Sequence, residues 1–73
     1  MPIIYGGHEF YLSRIYRLAG TMDNPKLRRK RVWVHELVNR HGCDWLRVTM
    51  ADTTIDSAAG TEWFVKPFYV IPE

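Results

Sequence analysis

The stretch "VWVHELVNRHGCDWLRVTM", residues 32–50, decides the fold. In its first arm Val32, Val34, Glu36 and Val38 alternate with Trp33, His35, Leu37 and Asn39; in its second, Leu46, Val48 and Met50 alternate with Trp45, Arg47 and Thr49. A period of two marks a strand with one buried face, so both arms read as β. Between them "NRHG" puts Asn39 first and Gly42 fourth in a type I turn, with Gly42 at positive φ. The segment therefore predicts an antiparallel hairpin. A rival reading makes residues 25–41 a helix, with Asn24 as N-cap, Pro25 at the first helical position, Gly42 as the stop, and a stripe of Leu27, Val34, Leu37, Val38 and His41. The run Val32, Trp33, Val34 is a poor helix interior, and an arginine and a lysine fall in the gap of the stripe, which favours the hairpin.

Working outward, "ADTTIDSAAG" is small and polar and reads as a flexible loop over residues 51–60. Beyond it "TEWFVKPFYVI" returns to β composition, with Pro67 requiring an edge, a strand end or a break. Upstream, "HEFYLSRIYRLAG" supports two patterns: Leu12, Ile15, Tyr16 and Ala19 form a helical face, while Phe10, Leu12, Tyr16 and Leu18 nearly alternate. Strand is favoured there, and residues 9–19 and 25–41 remain open between strand and helix. Residues 20–31 form a long basic loop. A chain of 73 residues is one domain with one small core. Several short strands on so short a chain are best satisfied by a small antiparallel barrel or curled sheet, which leaves few edges to aggregate, with one short helix at most.

The sole cysteine, Cys43, excludes an intramolecular disulfide and suits a reducing cytosol. No apolar run approaches the roughly 18 residues of a membrane span, so a soluble, unexported protein without a membrane partner is expected. The net charge of +2 conceals an asymmetry: residues 1–43 carry +5 and residues 44–73 carry −3. A protein held to DNA by phosphate contacts would be basic more uniformly.

The hairpin arm "VWVHELV", the turn "NRHG", the motif "DWLRVTM" and the closing "GTEWFVKPFYVI" together resemble an SH3-like barrel over residues 14–71. In peptide-binding members of that family an aromatic after the hairpin turn and a Pro followed by Tyr line the ligand groove, which the resemblance transfers to Trp45, Pro67 and Tyr69. The Pro67-to-Tyr69 spacing is one residue shorter than the family's, and the loop that is acidic there is basic here, so the likeness concerns the barrel more than the ligand. In size and character the whole chain also resembles the very small lytic-bacteriophage transcription regulators. That resemblance implies binding to host RNA polymerase core at surfaces of its two largest subunits, inhibition of initiation by displacement of the sigma factor, and in some cases antitermination. It also implies a site of action in the host bacterial cytoplasm.

No residue pattern for catalysis is present: there is no phosphate loop, no nucleophile elbow around Ser13 or Ser57 and no helical His pair with a glutamate between. Asp52 and Asp56 sit in a polar loop that offers nothing to bury them, so neither is set up for acid-base work. His35, His41 and Cys43, with Asp44 or His8, offer zinc-type ligands, but His41-x-Cys43 matches no ligand knuckle, so no metal and no cofactor is expected. The cations Lys26, Arg28, Arg29, Lys30 and Arg31, with Trp33 and Trp45 as stacking surfaces, are what a single-strand binder needs. Equally, Arg, Trp and Tyr are the residues enriched at protein-interface hot spots, and Trp63, Phe64, Phe68 and Tyr69 add to them. At least one of the three tryptophans should be spent on the core. The expected function is a monomeric, non-enzymatic polymerase-binding regulator whose basic loop steers it to an acidic site, with Lys26, Arg28, Arg29, Lys30, Arg31, Trp33, Trp45, Trp63, Pro67 and Tyr69 as contacts. A secondary nucleic-acid contact fits within that role; the alternative is an SH3-like nucleic-acid-binding module.

Overall fold

The hairpin at residues 32–50 is the centre of the molecule in the computed structural model, which describes residues 2–73. The strands are β1 (Ile3–Tyr5), β2 (His8–Phe10), β3 (Ile15–Leu18), β4 (Arg31–Arg40), β5 (Cys43–Met50), β6 (Glu62–Val65) and β7 (Val70–Pro72). Turns of 3-10 helix at Pro25–Leu27 and Pro67–Tyr69 are the sole helical pieces among the described residues, so the helix reading of residues 25–41 gives way to a short turn followed by β4. Two antiparallel sheets result: β1 with β2, and five strands in the order β6-β5-β4-β3-β7. The architecture is mainly β, as the alternation predicts. None of the helical pieces is long and apolar enough to cross a membrane.

The five-stranded sheet is curled but does not close, because its edge strands β6 and β7 are not paired with each other. A flat sheet of this order would hold its edges about 19 Å apart at the usual spacing of about 4.8 Å. Val65 and Val70 are linked through the Pro67–Tyr69 turn, and even five fully extended steps reach only about 17 Å. The sheet therefore has to bend for the chain to get from one edge to the other. The curled sheet is the form found, and a closed barrel is not.

One face of the sheet is the core. Val32 and Val34 lie opposite Met50 and Val48, Leu46 lies opposite Val65, and Tyr16, Leu18 and Val70 extend the surface, all buried. Phe10 covers one side, its ring edge-on to Tyr16 at 5.6 Å between centroids. Met22 and Leu27 of the long loop cover the core as well, each about 2% exposed. That loop is tied down by hydrogen bonds. Arg29 N donates to Leu18 O at 2.9 Å, Leu18 N to Lys30 O at 2.9 Å, and Asn24 Oδ1 caps the 3-10 turn by accepting from Lys26 N at 3.1 Å.

Three local features depart from the sequence reading. The alternation of β4 does not run through: a bulge between Val34 and Glu36 switches its parity, so Leu37 faces with Leu46, while Glu36 and Val38 pair with Arg47 and Trp45 on the outer face. The hairpin turn is shorter than "NRHG". Arg40 pairs with Cys43, leaving His41 (φ 53°) and Gly42 (φ 77°) as a two-residue loop of the type I′ kind that matches strand twist. At the N-terminus "YGGH" makes a second such hairpin, with Gly6 and Gly7 at φ 56° and 81°. Residues 9–19 resolve into the end of β2, a turn and β3.

Candidate functional site

Cross-strand register sets which side chains stand together on the outer face. Glu36, Arg47 and Phe64 form one row, Val38 and Trp45 the next, and Ile15, Trp33 and Thr49 a third. Arg47 clamps three strands, with Nε 2.9 Å from Glu36 Oε1 and a terminal nitrogen 3.2 Å from Glu62 Oε2. These hydrogen bonds, the Glu36 one foremost, hold its guanidinium above the usual arginine value. At the far side Arg31 is shared between Glu73 (3.0 Å) and Asp52 (3.2 Å), and Arg17 also reaches Glu73 at 3.4 Å. Such half-exposed pairs add little stability, yet they neutralise what they hold.

The five cations of the basic run are therefore not equivalent. Arg31 is committed to carboxylates of its own chain. Arg28 Nε donates to Met22 O at 2.6 Å, and the Arg29 side chain lies against Gly20, where a Cβ would stand 2.8 Å from its Nε. Lys26, Arg28, Arg29 and Lys30 have no carboxylate partner among the described residues, so the turn keeps a net positive surface.

Beside this turn runs a cleft of about 370 Å³, walled by Met22, Asp23, Asn24 and Leu27 on one side and by Trp63, Phe64, Val65 and Trp45 on the other. A second, of about 380 Å³, is lined by Arg40, His41, Trp45 and Phe64. Trp45 and Phe64 belong to both, which makes one continuous surface around the end of β6. Each ring carries a cation: Arg40 Cζ stands 4.4 Å from the Phe64 centroid and Lys66 Nζ 4.2 Å from that of Trp45. Trp63 packs against the core, and its Nε1 is buried without a hydrogen-bond partner. An unpaired buried donor costs about 1–3 kcal/mol.

Of the residues singled out from sequence, the structure brings Trp45 and Trp63 together with the foot of the basic turn. Trp33 stands apart on the outer face, opposite Ile15 and Thr49. Pro67 is buried and Tyr69 packs against the core, so the cleft lined by Trp45 contains neither, and no groove of the SH3-like peptide-binding kind is assembled from these three. Phe64, read from sequence as an interface aromatic, belongs to this surface, and Arg40 and Lys66 join it unannounced. The signal for Lys66 was the alternation in "EWFVK", which puts Glu62, Phe64 and Lys66 on one face; Arg40 enters through the hairpin end beside Cys43.

The groups weighed for metal or acid-base chemistry are dispersed. His35 Nε2 lies 2.7 Å from Thr49 Oγ1, His41 is in the turn, and Cys43 is an exposed free thiol. Among the described residues no three His, Cys, Asp or Glu side chains come together to hold a metal ion. Two phenols are perturbed: the Asp44 carboxylate raises Tyr5 above its ordinary value, and a hydrogen bond to Glu9 does the same for Tyr11. Compared with protein-family models, curated proteins and solved structures, the chain shows no match.

Proposed function

We propose that this protein is a non-enzymatic, stoichiometric docking protein of bacteriophage type, whose partner is the core of host bacterial RNA polymerase. The observation that carries the docking reading is the Trp45–Phe64 surface, with Arg40 and Lys66 on its rings and the positive Pro25–Leu27 turn beside it. Large rigid aromatics beside arginine are what interface hot spots are made of. The unpaired cations Lys26, Arg28, Arg29 and Lys30 steer encounter towards an acidic patch and set the association rate more than the final affinity. In this reading the protein works as a monomer in the host cytoplasm, occupies a surface of the two largest polymerase subunits that the sigma factor needs, and so blocks initiation. Continued residence during elongation extends the effect to antitermination. The polymerase identity itself comes from the resemblance in size and character to small lytic-phage regulators. The test is copurification with core polymerase after nuclease treatment: retention supports the reading, and loss on nuclease digestion ends it.

A nucleic-acid-binding module is the second reading, favoured by the four unpaired cations of the basic turn. Two observations weigh against it: Arg31 is held by Asp52 and Glu73, and Trp45 and Phe64 already carry cations on their faces. A mobility-shift titration at two salt concentrations separates the readings, since phosphate contacts make affinity fall steeply with salt.

A further inference from the structure

The free side of β6 faces the cleft. Met50 N donates to Thr61 O at 3.0 Å, and β5 pairs Val48 with Trp63 and Leu46 with Val65. Antiparallel ladders alternate, so Trp63 and Val65 turn their backbone N–H and C=O towards β5, as Thr61 does its C=O, while Thr61 N donates to Ala58 O at 3.1 Å. Glu62 and Phe64 turn theirs the other way. β6 is an edge strand, and neither residue takes part in any backbone hydrogen bond beyond the strands among the described residues. Proteins usually blunt such edges with proline, charge or cover. The opposite edge, β7, contains Pro72; β6 has no proline, and its Glu62 carboxylate is occupied by Arg47.

From this we infer that β6 is a receptor edge: the partner contributes an extended segment of alternating apolar and acidic residues, which adds to the sheet along Glu62–Val65. The inference rests on the docking reading and specifies how the partner is held. Edge addition supplies backbone hydrogen bonds, and alternate side chains supply specificity. Residues of the added strand that face inwards meet the cleft walled by Trp63, Met22 and Leu27. Residues that face outwards meet Phe64, with Arg40 over its ring, and Lys66 beyond it. Both cations lack a carboxylate partner among the described residues, so the outward positions select acid.

Two experiments on the intact protein test this. In the first, the amide-labelled protein is titrated with a synthetic Val-Asp repeat peptide, its Val-Lys counterpart, and the Val-Asp peptide N-methylated at alternate residues. The expected result is perturbation centred on the Glu62 and Phe64 amides by the Val-Asp peptide, with binding at least about tenfold weaker for each of the other two. No binding by the Val-Asp peptide, equal binding of all three, or perturbation confined to other strands overturns the inference. In the second, hydrogen exchange of the segment 61–66 is followed with and without core RNA polymerase. Slowing of the Glu62 and Phe64 amides supports edge addition. A complex that forms with exchange there unchanged refutes edge addition and leaves the docking reading standing. Absence of any complex refutes the polymerase reading, and the peptide titration then decides the edge by itself.

Discussion

Leu27 is the residue on which the basic turn depends, and replacing it measures how firmly the turn belongs to the fold. It is about 2% exposed and sits in the 3-10 turn Pro25–Leu27, between cations that face solvent. Leu27→Ala removes buried methyl groups and leaves a void at the rim of the core, a change that costs about 2–5 kcal/mol in well-packed sites. The site borders an open cleft and relaxes more easily than a sealed interior, so the expected loss is about 2–3 kcal/mol. For a domain of this size each kcal/mol moves the melting temperature by about 4–8 °C, which predicts a drop of about 8–24 °C. Small cores hold a margin of only about 3–5 kcal/mol, so the variant should be partly unfolded in mild urea. Thermal and urea unfolding followed by circular dichroism give the number, with Leu12→Ala as the control, because Leu12 is exposed on the turn before β3. If Leu27→Ala matches the control within about 0.5 kcal/mol, the loop is solvated and the argument from its packing fails.

The turn, the tyrosines and the cations give further predictions. His41→Asn places Asn-Gly in the type I′ hairpin, where His41 now holds φ 53°, and should raise stability by about 0.5–1 kcal/mol in urea unfolding; a loss contradicts the turn geometry. Tyr5 titrates above its ordinary value of 10.0 because the Asp44 carboxylate disfavours the phenolate. Since the folded value is the raised one, its contribution to stability is complete below pH 10.0 and is lost as pH rises through the raised value. Asp44→Asn should therefore lower one phenolate absorbance midpoint, and an unchanged titration refutes the assignment. Replacing Lys26, Arg28, Arg29 and Lys30 with alanine should slow association with the polymerase about tenfold at low salt while changing dissociation little; an effect on dissociation alone contradicts steering.

The sequence made the β5 face readable because nothing interrupts it: Leu46, Val48 and Met50 alternate and are all buried. It misled beyond Val34, because a bulge is a hydrogen-bonding event between two strands and leaves no mark in the spacing of one. Val38, read as inward, ends beside Trp45 on the outer face. The turn residues were right in kind, with Gly42 at positive φ, but the left-handed His41 was hidden by its poor fit to that conformation. The N-terminal hairpin is legible in the paired glycines of "YGGH", but its strands of three residues are too short to show a period of two. For the candidate site, charge counting treated Lys26 and Arg31 alike. Only the fold reveals that Asp52 and Glu73, 21 and 42 residues away, return to Arg31. The role of Phe64 depended likewise on its being on an edge strand, which is a property of the sheet rather than of the segment.

The central claim is that the Trp45–Phe64 surface docks the protein on RNA polymerase. It is tested most directly by the equilibrium affinity of the protein for nuclease-treated core polymerase, compared with that of Trp45→Ala and Phe64→Ala variants whose circular dichroism is unchanged. The account predicts saturable binding by the parent protein and a loss of about thirtyfold for each variant, the effect of a hot-spot residue worth about 2 kcal/mol. Binding that is equally tight in all three proteins, or absent from the parent once nucleic acid is removed, contradicts it.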